Sequence, residues 1–183
     1  METNTRNSSE TSDLSGNRIL KSDILIHFMG TADELNAHLG LIKAMISNED
    51  AWQVSWHQSV SFLEKVQRNV MKIMSHVSDT ENPKYHFTYN DVADLEREIK
   101  RLMDALPKQR TFSVPGKNII EAQIQITRTV ARRTERMFVS ANGSHPLNEF
   151  AGTYLNKLSD YLFFLSQQES LINVNFINQI TGI

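Results

Sequence analysis

Residues 118–146 read NIIEAQIQITRTVARRTERMFVSANGSHP, and this stretch decides the fold. Ile120, Ile124, Ala131 and Phe138 fall on one face of a 3.6-residue period, which predicts a long helix from about Asn118 to Val139. Asn142-Gly143 suits a C-terminal cap, and Pro146 cannot continue a helix, so ANGSHP is a stop. Beyond it, Leu147, Phe150, Tyr154, Leu158, Tyr161, Leu162 and Leu165 carry the same period into a further helix. On the other side, RTFSVPGK is a loop with Pro115-Gly116 as its turn signal.

Further upstream the pattern repeats. Asn90 is a fair N-cap for a helix bearing Val92, Leu95, Ile99, Leu102 and Leu106, and Pro107 ends it. TENPKYHFTYN, around Pro83, separates that helix from a stripe of Trp56, Val60, Leu63, Val70, Met74 and Val77. Leu35, Leu39, Ile42 and Ile46 form the earliest stripe, beginning near Asp23. Residues 1–20 are rich in Ser, Thr and Asn and read as disordered by composition. No segment alternates with period two for long. The expectation is all-α: five antiparallel helices in one up-and-down bundle, with no internal repeat and no second domain.

Composition narrows the function. The 183 residues are 40% hydrophobic and 22% charged, as in a soluble globular chain. A net charge of −2 offers no field for nucleic acid or an anionic membrane, so any anion site must come from local clustering. Cysteine is absent, which excludes disulfides, thiolate metal sites and cysteine nucleophiles. The opening METNTRNSSETSDLSG lacks the apolar stretch of a secretory signal, and no run suits a membrane span. A cytoplasmic protein is expected.

The strongest local signal is RTVARRTER, with Arg128, Arg132, Arg133, Glu135 and Arg136. Clustered arginines repel unless acids or an anion neutralise them, and guanidinium forks suit phosphate oxygens. The competing reading is a solvated face, or ion pairs with Asp33, Glu34 or Asp160. Asp33, Glu34 and Asn36 lie in GTADELNAHLG, where Gly30 marks a kink or a close approach. Asp33 is better read as an arginine's partner than as a general base, because a carboxylate facing an arginine is a weak base. In YLNKLSDYLFFL, Asn156 and Asp160 are four apart among large apolar residues and read as a buried polar column. Phe112 is a loop aromatic, either core packing or a wall against a flat ligand. Trp52, Trp56 and Phe62 read as core or subunit interface. The six histidines make no pair with metal-site spacing, so no metal site of protein ligands is expected. There is no P-loop and no dinucleotide fingerprint.

Taken together, GTADELNAHLGL, FSVPG, RTVARRTER and YLNKLSDYLFFL resemble, in order, the signature blocks of the PduO (propanediol-utilisation) type ATP:cob(I)alamin adenosyltransferases. The resemblance covers roughly residues 3–168. It implies a homotrimer of five-helix bundles with active sites between subunits, residues 1–22 forming a nucleotide loop and 23–183 the bundle. It implies ATP with Mg2+ and cobalamin as substrates, with cobalt attacking the C5′ carbon of ATP and triphosphate leaving. By the same resemblance, Arg128 pairs across the interface with Asp33. Arg132, Glu135 and Arg136 contact ATP, with Asn156 and Asp160 beside it. Phe112 displaces the corrinoid's lower axial ligand. Thr5, Arg6, Thr11, Ser12 and Lys21 belong to the nucleotide loop or follow it.

The chain departs from the family pattern in places. Family loops commonly carry two glycines and an aspartate, where this chain has Asn7-Ser8-Ser9-Glu10, and Glu10 brings a charge that repels triphosphate. Pro-Gly-Lys replaces Pro-Gly-Gly after Phe112, Gln125 stands where His is common, and Lys157 replaces a typical Arg. Three functions are open: an active adenosyltransferase, a non-catalytic trimer that binds a corrinoid, a nucleotide or a protein partner, or an unrelated helical interaction protein whose Arg-rich helix only pairs with acids.

Overall fold

The structure is a computed structural model that describes residues 9–13, 16–47, 53–107 and 114–181; the side chains of 53–55 and 169–181 fall outside that description. Five helices form: α1 Ile24–Ser47, α2 Gln53–Ser78, α3 Tyr89–Ala105, α4 Ile119–Asn142 and α5 Glu149–Thr181. Their ends follow local chemistry. The Asp23 carboxylate accepts from Leu25 N at 2.8 Å and opens α1. Asn118 caps α4, accepting from Glu121 N at 2.8 Å. The cap of α3 is Thr88, not Asn90, because Asp91 reaches back to accept from Thr88 N at 2.9 Å. Gly143 ends α4 with right-handed backbone (φ −67°), while the Asn142 side chain accepts from Leu147 N at 2.7 Å.

Cross-helix contacts set the directions. Gln67 donates to the Asn36 carbonyl at 3.1 Å and Ser78 lies against Met29, so α1 and α2 are antiparallel. Gln123 donates to His38 Nδ1 at 2.7 Å and Thr134 to the Thr31 carbonyl at 3.1 Å, which makes α1 and α4 antiparallel. Tyr89 stacks near Phe150 and Lys157 pairs with Glu96, so α3 and α5 run parallel. The helices therefore alternate up and down as expected. Consecutive α3 and α4 are not the main neighbours, however: α4 packs between α1 and α5, and α3 packs along α5.

The core runs the length of the bundle. Phe28, Leu35, Leu39, Ile42, Trp56, Leu63, Leu95, Ile124, Leu158, Tyr161 and Leu165 are all fully buried. Each of the Leu, Ile and Phe side chains contributes about 1.5–3 kcal/mol relative to exposure. Trp56 is core, Phe62 packs on Tyr161 at 5.3 Å between ring centroids, and Trp52 lies outside the described residues. Burial pushes the Tyr154 and Tyr161 phenols well up, so both stay neutral.

Two expectations are corrected. Within the N-terminal stretch expected to be disordered, Glu10–Ser12 (β1) pairs antiparallel with Arg18–Leu20 (β2). Composition concealed it, because three-residue strands carry no period, and a side chain–backbone turn closes the hairpin. The Asp13 carboxylate accepts from Asn17 N at 2.8 Å and from Asn17 Nδ2 at 3.0 Å. Gly30 does not mark a close approach, since a Cβ there would meet nothing within 4 Å. Close approach falls instead at Gly152, where a Cβ would lie 3.0 Å from the Phe138 ring.

Candidate active site

The four arginines of α4 have three different fates. Arg133 pairs with Glu34 on α1, so part of the cluster is ordinary inter-helix pairing. Arg128 is half-buried and donates through Nε to Gln125 Oε1 at 2.8 Å. Arg132 and Arg136 are exposed; Arg136 Nη1 donates to the Arg132 carbonyl at 3.1 Å, and neither guanidinium has a carboxylate partner among the described residues. Of the acids expected to neutralise the cluster, Glu34 does so, while Asp33 and Asp160 have no ion pair among the described residues. Both are exposed. What remains is a pair of guanidiniums open to an anion.

Beside them, Asn156 Nδ2 on α5 donates to Glu135 Oε1 on α4 at 2.6 Å. Neither Asn156 nor Asp160 is buried, which corrects the expected buried column. Leu155, Leu158, Ser159 and Leu162 turn inward, so the positions at 156, 160 and 163 take the outer stripe. Apolar neighbours in sequence are not neighbours on a helix face. Ile126, Thr129, Arg132, Arg136 and Val139 form the matching exposed stripe of α4.

The hairpin carries several of the expected loop residues. Thr11 is half-buried opposite Ile19, and exposed Ser12 is paired with Arg18. Lys21 is exposed, and its backbone N donates to the Ser9 carbonyl at 2.8 Å, closing the strand pair. Glu10 is held by Arg18, whose Nη2 lies 3.0 Å from Glu10 Oε2. Its negative charge is therefore offset within the hairpin. Thr5, Arg6 and Phe112 lie outside the described residues.

Sequence reasoning passed over a polar ladder inside α4. Glu121 is fully buried, and its Oε2 accepts from Gly116 N at 2.7 Å and Lys117 N at 3.1 Å. This carboxylate ties the Pro-Gly-Lys turn to the first turn of the helix. Gly116 alone in that turn needs positive φ (+105°), so lysine at 117 is accommodated. One turn on, buried Gln125 donates to Ser166 Oγ at 2.9 Å while accepting from Arg128. The available signal was the spacing of Glu121, Gln125 and Arg128, polar residues three and four apart on a helix lined by Ile124 and Ala131. Lys157, where an arginine is typical, pairs with Glu96 at 3.3 Å and serves the α3–α5 contact.

Fold and site together define a five-helix bundle with an open cationic and carboxamide face on its last two helices. The chain belongs to the cobalamin adenosyltransferase family, whose family-wide pattern matches residues 1–169. It is 30% identical over 168 residues to a corrinoid adenosyltransferase of Citrobacter freundii, covering 91% of this chain and 93% of that protein. It is 33% identical over 154 residues to a cobalamin adenosyltransferase of Cupriavidus metallidurans, covering 83% and 78%. It spans about half (49%) of the length of the corrinoid adenosyltransferase PduO of Citrobacter freundii, at 29% identity. Among solved structures, a variant PduO-type ATP:corrinoid adenosyltransferase from Lactobacillus reuteri, complexed with cobalamin and ATP, superposes with TM-score 0.80 at 21% identity. That match covers 93% of each chain and shows a shared fold.

Proposed function

We propose that this protein transfers the 5′-deoxyadenosyl group of ATP to cob(I)alamin and releases inorganic triphosphate. It acts as a homotrimer in the cytoplasm, where ATP and reductants for cobalt are available. The observation that carries this reading is the pair Arg132 and Arg136, two exposed guanidiniums without carboxylate partners among the described residues, beside the Asn156–Glu135 bridge. Desolvating such a pair is favourable only against an anion, and a polyphosphate supplies one.

In the reaction the cobalt electron pair forms a bond to C5′, and the C5′–O pair leaves with triphosphate. Arg132 and Arg136 hold the triphosphate, which MgATP brings with its metal, and stabilise the charge growing on the leaving oxygen. Asn156 and Glu135 order the nucleotide, with Asp160 on the same stripe of α5. Thr5, Arg6, Thr11, Ser12 and Lys21 close over it from the N-terminal segment, residues 1–22. Arg128 meets Asp33 of a neighbouring protomer, since within one chain Asp33 is exposed and has no ion pair among the described residues. Exposed Leu41, Ile126, Val139 and Phe163 on the same helices support burial against another copy. Phe112 walls the corrinoid. The protein's share is positioning and electrostatics, because the cofactor carries the hard chemistry.

A non-catalytic role is motivated by the altered Ser8-Ser9-Glu10 loop, and the Arg18–Glu10 pair offsets the charge that this loop adds. The test is direct. Purified protein mixed with MgATP and chemically reduced cobalamin should develop the adenosylcobalamin spectrum. No product above the protein-free control rejects the reading.

A further inference from the structure

Gln125 is 94% buried by its 6% exposure, and its amide joins two helices to one arginine. The hydrogen bonds leave it a single orientation. Ser166 Oγ donates to the Phe163 carbonyl at 2.7 Å, so its hydrogen is committed and it meets Gln125 as an acceptor. Gln125 must then present Nε2 to Ser166, at 2.9 Å, and turn Oε1 away. Oε1 receives Arg128 Nε, an obligatory donor, at 2.8 Å. With Nε engaged, the Arg128 side chain is held by its inner edge. Neither Nη group has a hydrogen-bond partner among the described residues, so the two-pronged end of the fork is left for an acid or phosphate.

We infer that Gln125 is a positioning residue: itself held by Ser166, it fixes the rotamer of Arg128 and aims the guanidinium fork outward, at the inter-protomer acid that the proposed function gives it beside the adenosyl-transfer site. The catalytic meaning rests on the function proposed above; the clamp itself does not. An amide suits this task because it donates and accepts at once and never titrates, so the clamp holds at any working pH. Arg128 thereby spends little rotamer entropy when its partner arrives.

Two variants and one spectroscopic probe test this. Gln125→Leu removes both bonds at similar volume and should lower kcat/KM about tenfold or more, through misplacement rather than unfolding. Gln125→His is the conservative variant. A neutral imidazole accepts on one nitrogen and donates on the other, whereas an imidazolium accepts nothing and repels Arg128. Its activity relative to wild type should approach unity near pH 8 and fall as pH drops through about 6.5. In 15N-labelled protein, the Arg128 Nε–H should exchange slowly in wild type and rapidly in Gln125→Leu. A flat pH ratio for Gln125→His, or unchanged kinetics in Gln125→Leu, overturns the positioning role. Equal Nε–H exchange in wild type and Gln125→Leu overturns the clamp even if the enzyme is active. An inactive wild type with a protected Nε–H rejects only the proposed function.

Discussion

Asn156 on α5 donates to Glu135 on α4 across 2.6 Å, and the bond joins an exposed amide to a half-buried carboxylate rather than two core groups. A polar pair at the surface contributes little to folding, because water reaches it and competes for the bond. Its placement on the turns of α4 that carry Arg132 and Arg136 gives it another use: it occupies the Glu135 oxygen Oε1 with an amide rather than a guanidinium. A double-mutant cycle on Asn156→Ala and Glu135→Ala should give a stability coupling of about 1 kcal/mol or less. The same cycle on kcat/KM should be strongly non-additive, with the double variant no worse than the poorer single one. Additive kinetics would separate the two residues functionally.

The arginine cluster should divide by partner. Arg132→Ala and Arg136→Ala are expected to raise KM for ATP about tenfold or more, with melting temperature little changed. Arg128→Ala should lower turnover far more than stability. Arg133→Ala loses a half-exposed ion pair and should cost at most about 1 kcal/mol of stability, with near-normal kinetics. If Arg133→Ala proves the most damaging of the four, the division is wrong.

Gly152 sets the spacing of α4 and α5. Alanine there gains about 1 kcal/mol of helix propensity, but its Cβ would lie 3.0 Å from the Phe138 ring. That ring is 3% exposed and packs edge-on against Phe28 at 5.4 Å, so it has nowhere to retreat. Overpacking of this kind costs about 1–3 kcal/mol and should prevail. Thermal denaturation of Gly152→Ala should therefore show a lower midpoint, whereas a higher one would mean that the ring yields.

Stability should fall with acid in two stages. Burial, with His86 5.7 Å away, lowers the His76 pKa against the opposing pull of Asp79. The unfolded chain takes a proton near pH 6.5 that folded His76 resists, so stability declines as pH drops from there through the folded value. For Asp91, burial pushes the carboxyl up, but the Thr88 backbone N–H, Lys72 and the Thr88 hydroxyl outweigh it and hold it below its ordinary range. Its contribution is present above about pH 4 and lost as pH falls through the folded value. Melting temperature followed from pH 7.5 to 3 should show both limbs. His76→Gln should flatten the upper limb and Asp91→Asn the lower.

Much of this molecule is written locally. The stripes of Leu35-Leu39-Ile42 and Leu158-Leu162-Leu165 dictate helices that bury one face, and Pro107 and Pro146 dictate where helices cannot continue. Those features depend on backbone geometry and apolar burial, which act over a few residues and show in the spacing. The RTVARRTER cluster and its neighbouring blocks were likewise visible, because their residue types are unusual on a helix.

Tertiary structure decided which charges are free. Nothing in the order of residues says that Arg133 meets Glu34, that Arg132 and Arg136 meet no acid among the described residues, or that Asn156 and Asp160 face outward. The pairing of Glu10 with Arg18 and the clamp of Gln125 between Ser166 and Arg128 arise from positions 8 and 41 residues apart. Electrostatic and hydrogen-bonding partners are chosen by distance in space, and that distance exists only after the helices have packed.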